Sequence, residues 1–395
     1  MRPDQFIDVE LIVDQTRTLW RDAVARVSTG RVELFVKTSS RVRATRDLRG
    51  AGVTLDRVLE SGIAVRVIEA GRDRAGFAAS SGLSPDDVRW ATESAAGYGA
   101  QAPTAEPRAS DIEPERWDLD DQASLPTEEI LVSALTARTN LSWIEAGTTV
   151  EVLAGTGGWI AARRRHRLWA LTDGSFPRLL VQRGFSAWEA RLDAGDVDDP
   201  SATRSRAVEG EALILTPHAA APVVASLVDA FHRDTTAPRA GMGEGWDVAD
   251  EPVRTDALAG GSFDDAGFPA KRRVLAAGGV WVEGLTGPGT YRRSSFRDPP
   301  AESASNLVMA GDQSTALPRT AVIAGSSRVI RSSPEVWVLE LKLAGASNTD
   351  VDCRRWIRTS PEALIGCCRS RLGGTQVTQE GPIVPFLVFD GLPGF

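Results

Sequence analysis

The chain has 395 residues, of which 42% are hydrophobic and 25% charged, and its formal net charge is −8 with a pI near 5.2. This is globular composition with enough length for two domains, and the acidic balance argues against a nucleic-acid-binding protein. No stretch reaches the roughly 18 consecutive apolar residues of a membrane-spanning helix, and the first twenty residues lack the apolar core of a signal peptide. The cysteines, Cys353, Cys367 and Cys368, fit a reducing compartment, so we expect a cytoplasmic protein.

The first hundred residues predict a small unit of helices and strands. Apolar side chains at helical spacing predict a helix over residues 5–27. Alternating apolar and polar residues predict strands in 31–58, and residues 61–82 predict two more strands joined by a Gly-Arg-Asp turn. Ser84 followed by Pro85 and two acids is typical of a helix N-terminus, with Ser84 as the N-cap. The order is helix, strands, helix.

The residue composition and the predicted elements change twice in the middle of the chain. Residues 101–128 hold four prolines and many acids, which predicts a linker or a long surface connection. A helix is expected over 127–140, and an antiparallel meander with glycine-rich turns over 148–193. Residues 212–232 predict a strand followed by a helix, with Pro222 near its start. Short strands and turns dominate from there to the end.

These elements predict an α+β fold with two domains. The N-terminal α/β domain, residues 1–210, is expected to place helices on a mixed sheet. The C-terminal domain, residues 211–395, is expected to be β-rich, with a largely antiparallel curled sheet.

The residues themselves supply no recognisable hydrolytic site. A catalytic zinc ion needs about three protein ligands and an open position, but no two histidines are spaced to lie on adjacent turns of one helix. The three histidines of the chain are His166, His218 and His232. A site assembled from His232, Asp234 and a cysteine stays open. No Gly-x-Ser-x-Gly elbow occurs, and a nucleophilic role for Cys367 or Cys368 competes with a role as small buried residues.

Three further features invite a binding function, each with a simpler interpretation. The stretch "AGTGGW" at 154–159 lacks the Lys-Ser/Thr of a phosphate-binding loop and predicts a hairpin turn. In "ARRRHR", 162–167, alternate arginines share one strand face, which we expect to be solvated rather than a binding patch. The tryptophans of the predicted strands are expected in the core or lining a groove for an extended peptide. They are Trp159, Trp169, Trp188, Trp281 and Trp337.

The most specific motif lies in the C-terminal half. "GEGWDVADEP" followed by "GGSFDDAGFPAKRRVLAAGGVWVEGL" resembles the C-terminal motif of the TldD/PmbA family, also called TldD/TldE. Asp264, Asp265, Gly267 and Pro269 match the family's Phe-Asp-Asp-Glu-Gly-x-Pro run, while Ala266 replaces the usual acid. The strands and helix of the N-terminal block, the segment "ESASNLVMAGD" with its Asn306, and the closing strands resemble the family in the same order, so the resemblance covers most of the chain.

The resemblance implies a paired enzyme. In this family the TldD-type subunit carries a His-Glu-x-x-x-His zinc motif and hydrolyses unfolded peptides, and the TldE/PmbA-type subunit lacks the motif and completes the complex. The matching helix here puts Ala225, Ser226 and Ala230 at the motif positions. The resemblance therefore implies a TldE/PmbA-type subunit with no catalytic or metal-ligating residue and no cofactor of its own. A TldD-like partner would carry the zinc, and a peptide or amide compound would be the substrate.

Residues near the family motifs are the candidates for a substrate cleft. They are Asp264, Asp265, Gly267, Arg292, Arg293 and Asn306. For most of them turn formation is the simpler role. Members of the family mature peptide-derived antibiotics, so the resemblance leaves a natural-product pathway open. Two alternatives stay open at this point, which are a stand-alone binding or scaffold protein and a hydrolase with an unrecognised cysteine site.

Overall fold

Two large sheets organise the computed structural model of this chain. It describes residues 7–47, 52–69, 75–97, 100–104, 115–120, 126–139, 141–172, 179–185, 212–233, 247–254, 258, 260–310, 321–333, 335–343, 354–377, 383–389 and 391–392. Within these ranges it contains five helices and twenty strands.

The first sheet has eight strands and is mixed. Its strands are β1 Arg31–Arg46, β2 Val53–Ile68, β3 Ala75–Ser80, β4 Ala100–Ala102, β5 Glu115–Leu119, β6 Leu141–Ala154, β7 Ile160–Thr172 and β8 Leu179–Arg183. They lie in the order β4-β3-β2-β1-β6-β7-β5, with β8 also paired to β7. Only β5 runs parallel to its neighbour, β7; the other pairs are antiparallel.

Three helices cover one face of this sheet: α1 Val9–Arg26, α2 Pro85–Gly97 and α3 Glu128–Ala137. Apolar side chains of α1 and α2 form one core cluster with β1, β2, β6 and β7, and those of α3 form a second with β1, β6 and β7. Asp8 caps α1 by accepting from the Glu10 N–H at 2.9 Å. Ser84 and Asp87 exchange side-chain-to-backbone hydrogen bonds at the start of α2, which is a capping box. Local capping thus fixes where these helices begin.

The second sheet has ten strands and is largely antiparallel. Its strands are β9 Ala212–Leu215, β10 Asp247–Asp250, β11 Arg273–Ala277, β12 Val280–Trp281, β15 Leu307–Ala310, β16 Ala321–Arg331, β17 Trp337–Leu343, β18 Arg354–Thr359, β19 Cys368–Val377 and β20 Ile383–Phe389. A separate ribbon pairs β13 Tyr291–Arg292 with β14 Ala301–Glu302. The helices are α4 Pro217–Arg233 and α5 Pro361–Cys367. The apolar side of α4 packs on this sheet, and Phe231 stacks on Trp281 with ring centres 4.5 Å apart.

The α+β fold class is confirmed, as are the helices expected within 5–27 and 127–140 and the helix start at Ser84 and Pro85. The helix expected over 84–102 ends at Gly97, because Ala100–Ala102 pairs with β3 as a strand. The antiparallel meander expected over 148–193 is confirmed for its described residues, 148–172 and 179–185. The stretch 101–128 is not only a connection, because it contains β5, which pairs with β7. The Gly-Arg-Asp turn, Trp188 and the 210/211 domain boundary lie outside the described residues, and the boundary stays a prediction. None of the helices within the described ranges is long and apolar enough to cross a membrane.

Candidate functional site

Residues 260–269, which we call the junction loop, lie between the two sheets. The predicted tight turn is present, since the Gly267 N–H donates to the Asp264 carbonyl at 3.0 Å. Gly267 has φ +88°, and a Cβ there would lie 2.6 Å from the ring of Trp159, which precedes β7. Phe263 is fully buried and shares an apolar cluster with Trp159 and Phe35 of the first sheet. Glycine is therefore required here both for conformation and for close approach.

The Asp264 carboxylate organises the loop from inside. Its Oδ1 accepts from the N–H groups of Ala266 and Phe268, each at 2.9 Å. Its Oδ2 accepts from Gly289 at 2.8 Å and from Tyr291 at 3.2 Å. With four donors and no exposed surface, this carboxylate has no position left for a substrate.

The positive charge of Arg292 acts on the pKa of this carboxylate. Burial raises the pKa of Asp264 to about 6, against the opposing effects of the Arg292 charge and of the backbone donors. One Arg292 nitrogen donates to the Tyr291 carbonyl at 2.9 Å, and its Nε has no hydrogen-bond partner among the residues that the structure describes. Both residues thus belong to one buried polar group on the second-sheet side of the loop.

Asp265 links the junction loop to the first sheet. Its Oδ1 accepts from the guanidinium of Arg163 on β7, and its Oδ2 accepts from the Arg293 N–H at 2.6 Å. Arg163 also donates to Glu151 on β6. Burial raises the pKa of Glu151, but the charges of Arg163 and Lys37 outweigh it and lower the value to about 2. The link is therefore a chain of hydrogen-bonded ion pairs in which Arg163 joins Glu151 of the first sheet to Asp265 of the junction loop.

Arg293 makes a second link. Its guanidinium donates to Glu33 on β1 at 3.1 Å and lies 4.9 Å from the ring centre of Phe35 and 5.3 Å from that of Phe77. The other Glu33 oxygen accepts from Arg66 on β2. Charge and aromatic packing hold the same side chain, so Arg293 anchors the second sheet to the first.

Arg165 makes a third link through β5. It pairs with Asp118 at 2.5 Å and donates to the Gly260 carbonyl at 3.3 Å. Asp118 also accepts from the Ser262 N–H at 2.6 Å. The side chains of Arg163 and Arg165 are only 9% and 3% exposed, so the expectation of a solvated arginine face is wrong for them. They are buried because acids more than 40 residues away in sequence meet them.

Asn306, the residue directly before β15, borders the loop. Its N–H donates to Asp250 at 2.8 Å and its side-chain amide to the Glu251 carbonyl at 3.2 Å. A Cβ on Gly260 would lie 2.7 Å from the Asn306 amide nitrogen, so the two are in close contact. The structure therefore brings all six candidates, Asp264, Asp265, Gly267, Arg292, Arg293 and Asn306, to the junction loop. The same site contains three more residues, Arg163, Arg165 and Asp118. The only sequence signal for them was the alternation along β7, which places the two arginines on one strand face.

The helix that matches the family's zinc motif is α4, and it packs on the second sheet rather than at the junction loop. Ala225 and Ala230 of α4 pack against the apolar core, and the Ser226 carbonyl accepts from Arg331 at 3.0 Å. None of the three side chains is a zinc ligand, so these positions do not fit the metal. In the described part of the chain no group of three or more His, Cys, Asp or Glu side chains is placed to hold a metal ion.

The remaining candidate groups are placed as follows. His166 on β7 is buried, with Nδ1 2.8 Å from the Thr148 hydroxyl. Burial lowers the pKa of His218 in the first turn of α4. Burial raises the pKa of the Cys368 thiol, which keeps it protonated and argues against a nucleophile there. The side chain of His232, with Asp234 and Cys353, lies outside the described residues.

Solved structures share this architecture over almost the whole chain. TldE from Thermococcus kodakarensis superposes with a TM-score of 0.66 at 14% identity, covering 95% of this chain and 98% of that one. The chain has the TldE fold. A putative modulator of DNA gyrase from Bacteroides thetaiotaomicron VPI-5482 gives 0.64 at 13% identity, covering 98% and 99% of the two chains. Another from Thermotoga maritima MSB8 gives 0.59 at 11%, covering 96% and 99%.

The TldE fold agrees with the family resemblance seen in the motifs. No protein-family model and no curated protein sequence matches the chain. At 11–14% identity the likeness establishes the shared fold and not the activity.

Proposed function

We propose that this chain is a TldE/PmbA-type subunit, without a zinc site of its own, of a two-subunit TldD/TldE-type hydrolase of peptide or other amide bonds. Two findings support the proposal. The TldE fold extends over 95% of the chain, and the motif residues of the resemblance meet at one place, the junction loop.

The observation that carries the proposal is the chemistry of α4. A hydrolytic zinc site needs nitrogen or oxygen ligands and a carboxylate base near the bound water. Ala225 and Ala230 have no donor atom, and their methyl groups pack against the apolar core. The metal and the general base are therefore assigned to a TldD-like partner.

The role of this chain is structural. The arginines and carboxylates of the three links pair with one another, so they hold geometry rather than transfer protons. Three such links fix the two sheets together and would give a rigid wall for a cleft shared with the partner. An extended peptide is a fitting substrate class, because exposed sheet edges bind extended chains by strand addition. Maturation of a peptide-derived antibiotic is the pathway proposed from the family resemblance.

The decisive experiment is reconstitution with a TldD-type subunit that carries the His-Glu-x-x-x-His motif. We expect a complex in light scattering, zinc in the complex but not in this chain, and cleavage of an unfolded peptide only by the pair. The matched control is a partner whose motif glutamate is changed to glutamine; its complex should form but not cleave. Cleavage by this chain alone after metal stripping, at the rate of the pair, would overturn the proposal. Failure to bind the partner would favour a stand-alone scaffold.

A further inference from the structure

The last three strands of the second sheet, β16, β17 and β18, have one buried and one open face. The buried face includes Leu339, Leu341 and Ile357, which share a core cluster with α4. Strand alternation and register turn nine other residues to the open face, in three rows across the strands. The rows are Ser326, Lys342 and Arg354; Arg328, Glu340 and Trp356; and Ile330, Val338 and Arg358. We call these nine residues the basic face.

The basic face carries an excess of positive charge on an acidic protein. Its cations are Arg328, Lys342, Arg354 and Arg358. Glu340 is the one acid among the nine residues, whereas the whole chain has a net charge of −8. Glu340 pairs with Arg354 at 3.4 Å, and the Arg354 side chain stays 66% exposed. Because one carboxylate meets four cations within the face, the face attracts an acidic partner.

The strand β18 also offers a free edge. It is the last strand in the order of the second sheet, so one of its sides has no strand neighbour among the described residues. Trp356 lies between Arg354 and Arg358 on the open face, and 56% of its surface is exposed. Backbone groups of such an edge can pair with an added strand. Covering the indole would remove apolar surface from water and stabilise a complex.

Charged side chains on an edge strand have a simpler role, which is to prevent unwanted pairing between protein molecules. Two observations favour binding instead. The cations continue inward to Lys342 on β17 and Arg328 on β16, and neither of these is an edge strand. In addition, Trp356 is exposed in the middle of the edge, where protection against pairing calls for a charged or bulky polar group.

We propose that the basic face binds an extended acidic segment of another protein, which adds as a strand to the free edge of β18. Side chains of the added strand would lie directly beside Arg354, Trp356 and Arg358, about 5 Å away between strands. The matching side chains are an acid, an apolar group and an acid. Arg355, exposed on the other face of β18, matches a further acid, and the buried Ile357 matches an apolar residue. For an antiparallel strand the matching sequence is Glu-Val-Phe-Glu-Glu.

Single-stranded nucleic acid is another polyanion that binds basic sheet faces. It does so by stacking successive bases on several aromatic side chains. Trp356 is the only aromatic residue among the nine of the basic face, so the composition of the face favours a peptide. The surface belongs to this chain alone, and its test therefore neither requires nor decides the proposed hydrolase function.

The test is fluorescence anisotropy on the full chain with labelled probes. The acidic probe is Gly-Glu-Val-Phe-Glu-Glu-Gly, and a neutral probe has glutamine at each glutamate. A reordered probe, Gly-Phe-Glu-Glu-Glu-Val-Gly, keeps the charge but loses the alternation, and an oligothymidylate represents nucleic acid. We expect the acidic probe to bind, more weakly as salt is added, and the neutral probe to bind at least tenfold more weakly. The reordered probe should bind several-fold more weakly.

Variants of the basic face locate the binding. Arg358→Gln and Trp356→Ala should each weaken binding of the acidic probe several-fold. Glu340→Gln should strengthen it several-fold, because the change removes the acid that competes with the probe for Arg354. A loss of folding cannot produce that gain. The control is Arg89→Gln, which removes an exposed arginine of α2 paired with Asp86 and should leave the affinity unchanged.

The results that overturn the proposal are equally definite. They are no binding of the acidic probe, equal binding of the acidic and neutral probes, or tighter binding of the oligothymidylate. Equal binding of the reordered probe would indicate charge attraction without strand addition and would overturn the proposal as well. Thermal unfolding checks the variants, since Arg358→Gln should unfold at the wild-type temperature. A lower unfolding temperature with unchanged affinity would show a purely structural arginine and contradict the assignment.

Discussion

The link between Arg163 and its two carboxylates predicts a large loss of stability on substitution. Arg163→Met keeps the aliphatic stem but removes the guanidinium, whose side chain is 9% exposed. Glu151 and Asp265, which are 15% and 6% exposed, then remain as buried carboxylates without their main counter-charge. Removing one partner of a buried pair costs about 3–5 kcal/mol, because the remaining charge is uncompensated. We expect a loss in this range, a large part of a typical total stability of about 5–15 kcal/mol.

Urea unfolding at pH 7, followed by tryptophan fluorescence, measures this loss as a change in the free energy of unfolding. The matched control is Arg331→Met, because Arg331 pairs with Asp229 at 2.6 Å but both side chains are 33% exposed. An exposed pair contributes about 0–1 kcal/mol. Adding Asp265→Asn to Arg163→Met should recover part of the loss, since it removes one of the stranded charges. The reasoning is refuted if Arg163→Met costs no more than Arg331→Met.

Three further predictions concern the same region. The pKa of Glu151 is about 2 against an ordinary 4.5, so its pairs stabilise the fold above pH 4.5 and about 3 kcal/mol is lost as the pH falls towards 2. Glu151→Gln should flatten the acid-unfolding curve in that interval, and an unchanged slope would contradict this. Gly267→Ala should cost about 1–3 kcal/mol more than Gly278→Ala in urea unfolding, because both glycines have positive φ but only a Cβ on Gly267 meets Trp159; equal costs would remove the packing argument. Asp264→Asn should leave two backbone donors facing an amide group, at about 1–3 kcal/mol each; a loss below about 1 kcal/mol at pH 7 would mean that the carboxyl is already protonated.

Elements whose cause is local could be predicted from sequence. Ser84, Pro85 and Asp87 specify the start of α2 through their own hydrogen bonds. Gly278 and Gly279, with φ +55° and +78°, close the β11–β12 hairpin because few other residues adopt that backbone. The same holds for the turn at Gly267. In each case the interacting groups are a few residues apart.

The strand β5 could not be predicted in this way. Its sequence, Glu-Arg-Trp-Asp-Leu, lies in an acid-rich stretch with little apolar alternation. It is a strand because it pairs in parallel with β7, where Asp118 meets Arg165. That pairing depends on a partner 47 residues away, so the sequence of the stretch alone does not predict the strand.

The sequence by itself determined the α+β class, the helix starts, the glycine turns and the shared face of Arg163, Arg165 and Arg167, since each follows from neighbouring residues and strand alternation. Only the tertiary structure decided what covers that face. It buried Arg163 against Asp265 and Arg165 against Asp118, and it left the Nε of Arg167 without a hydrogen-bond partner among the described residues. The physical reason is that the state of a charge depends on its distance from other charges and from water, and those distances are set by chain segments remote in sequence.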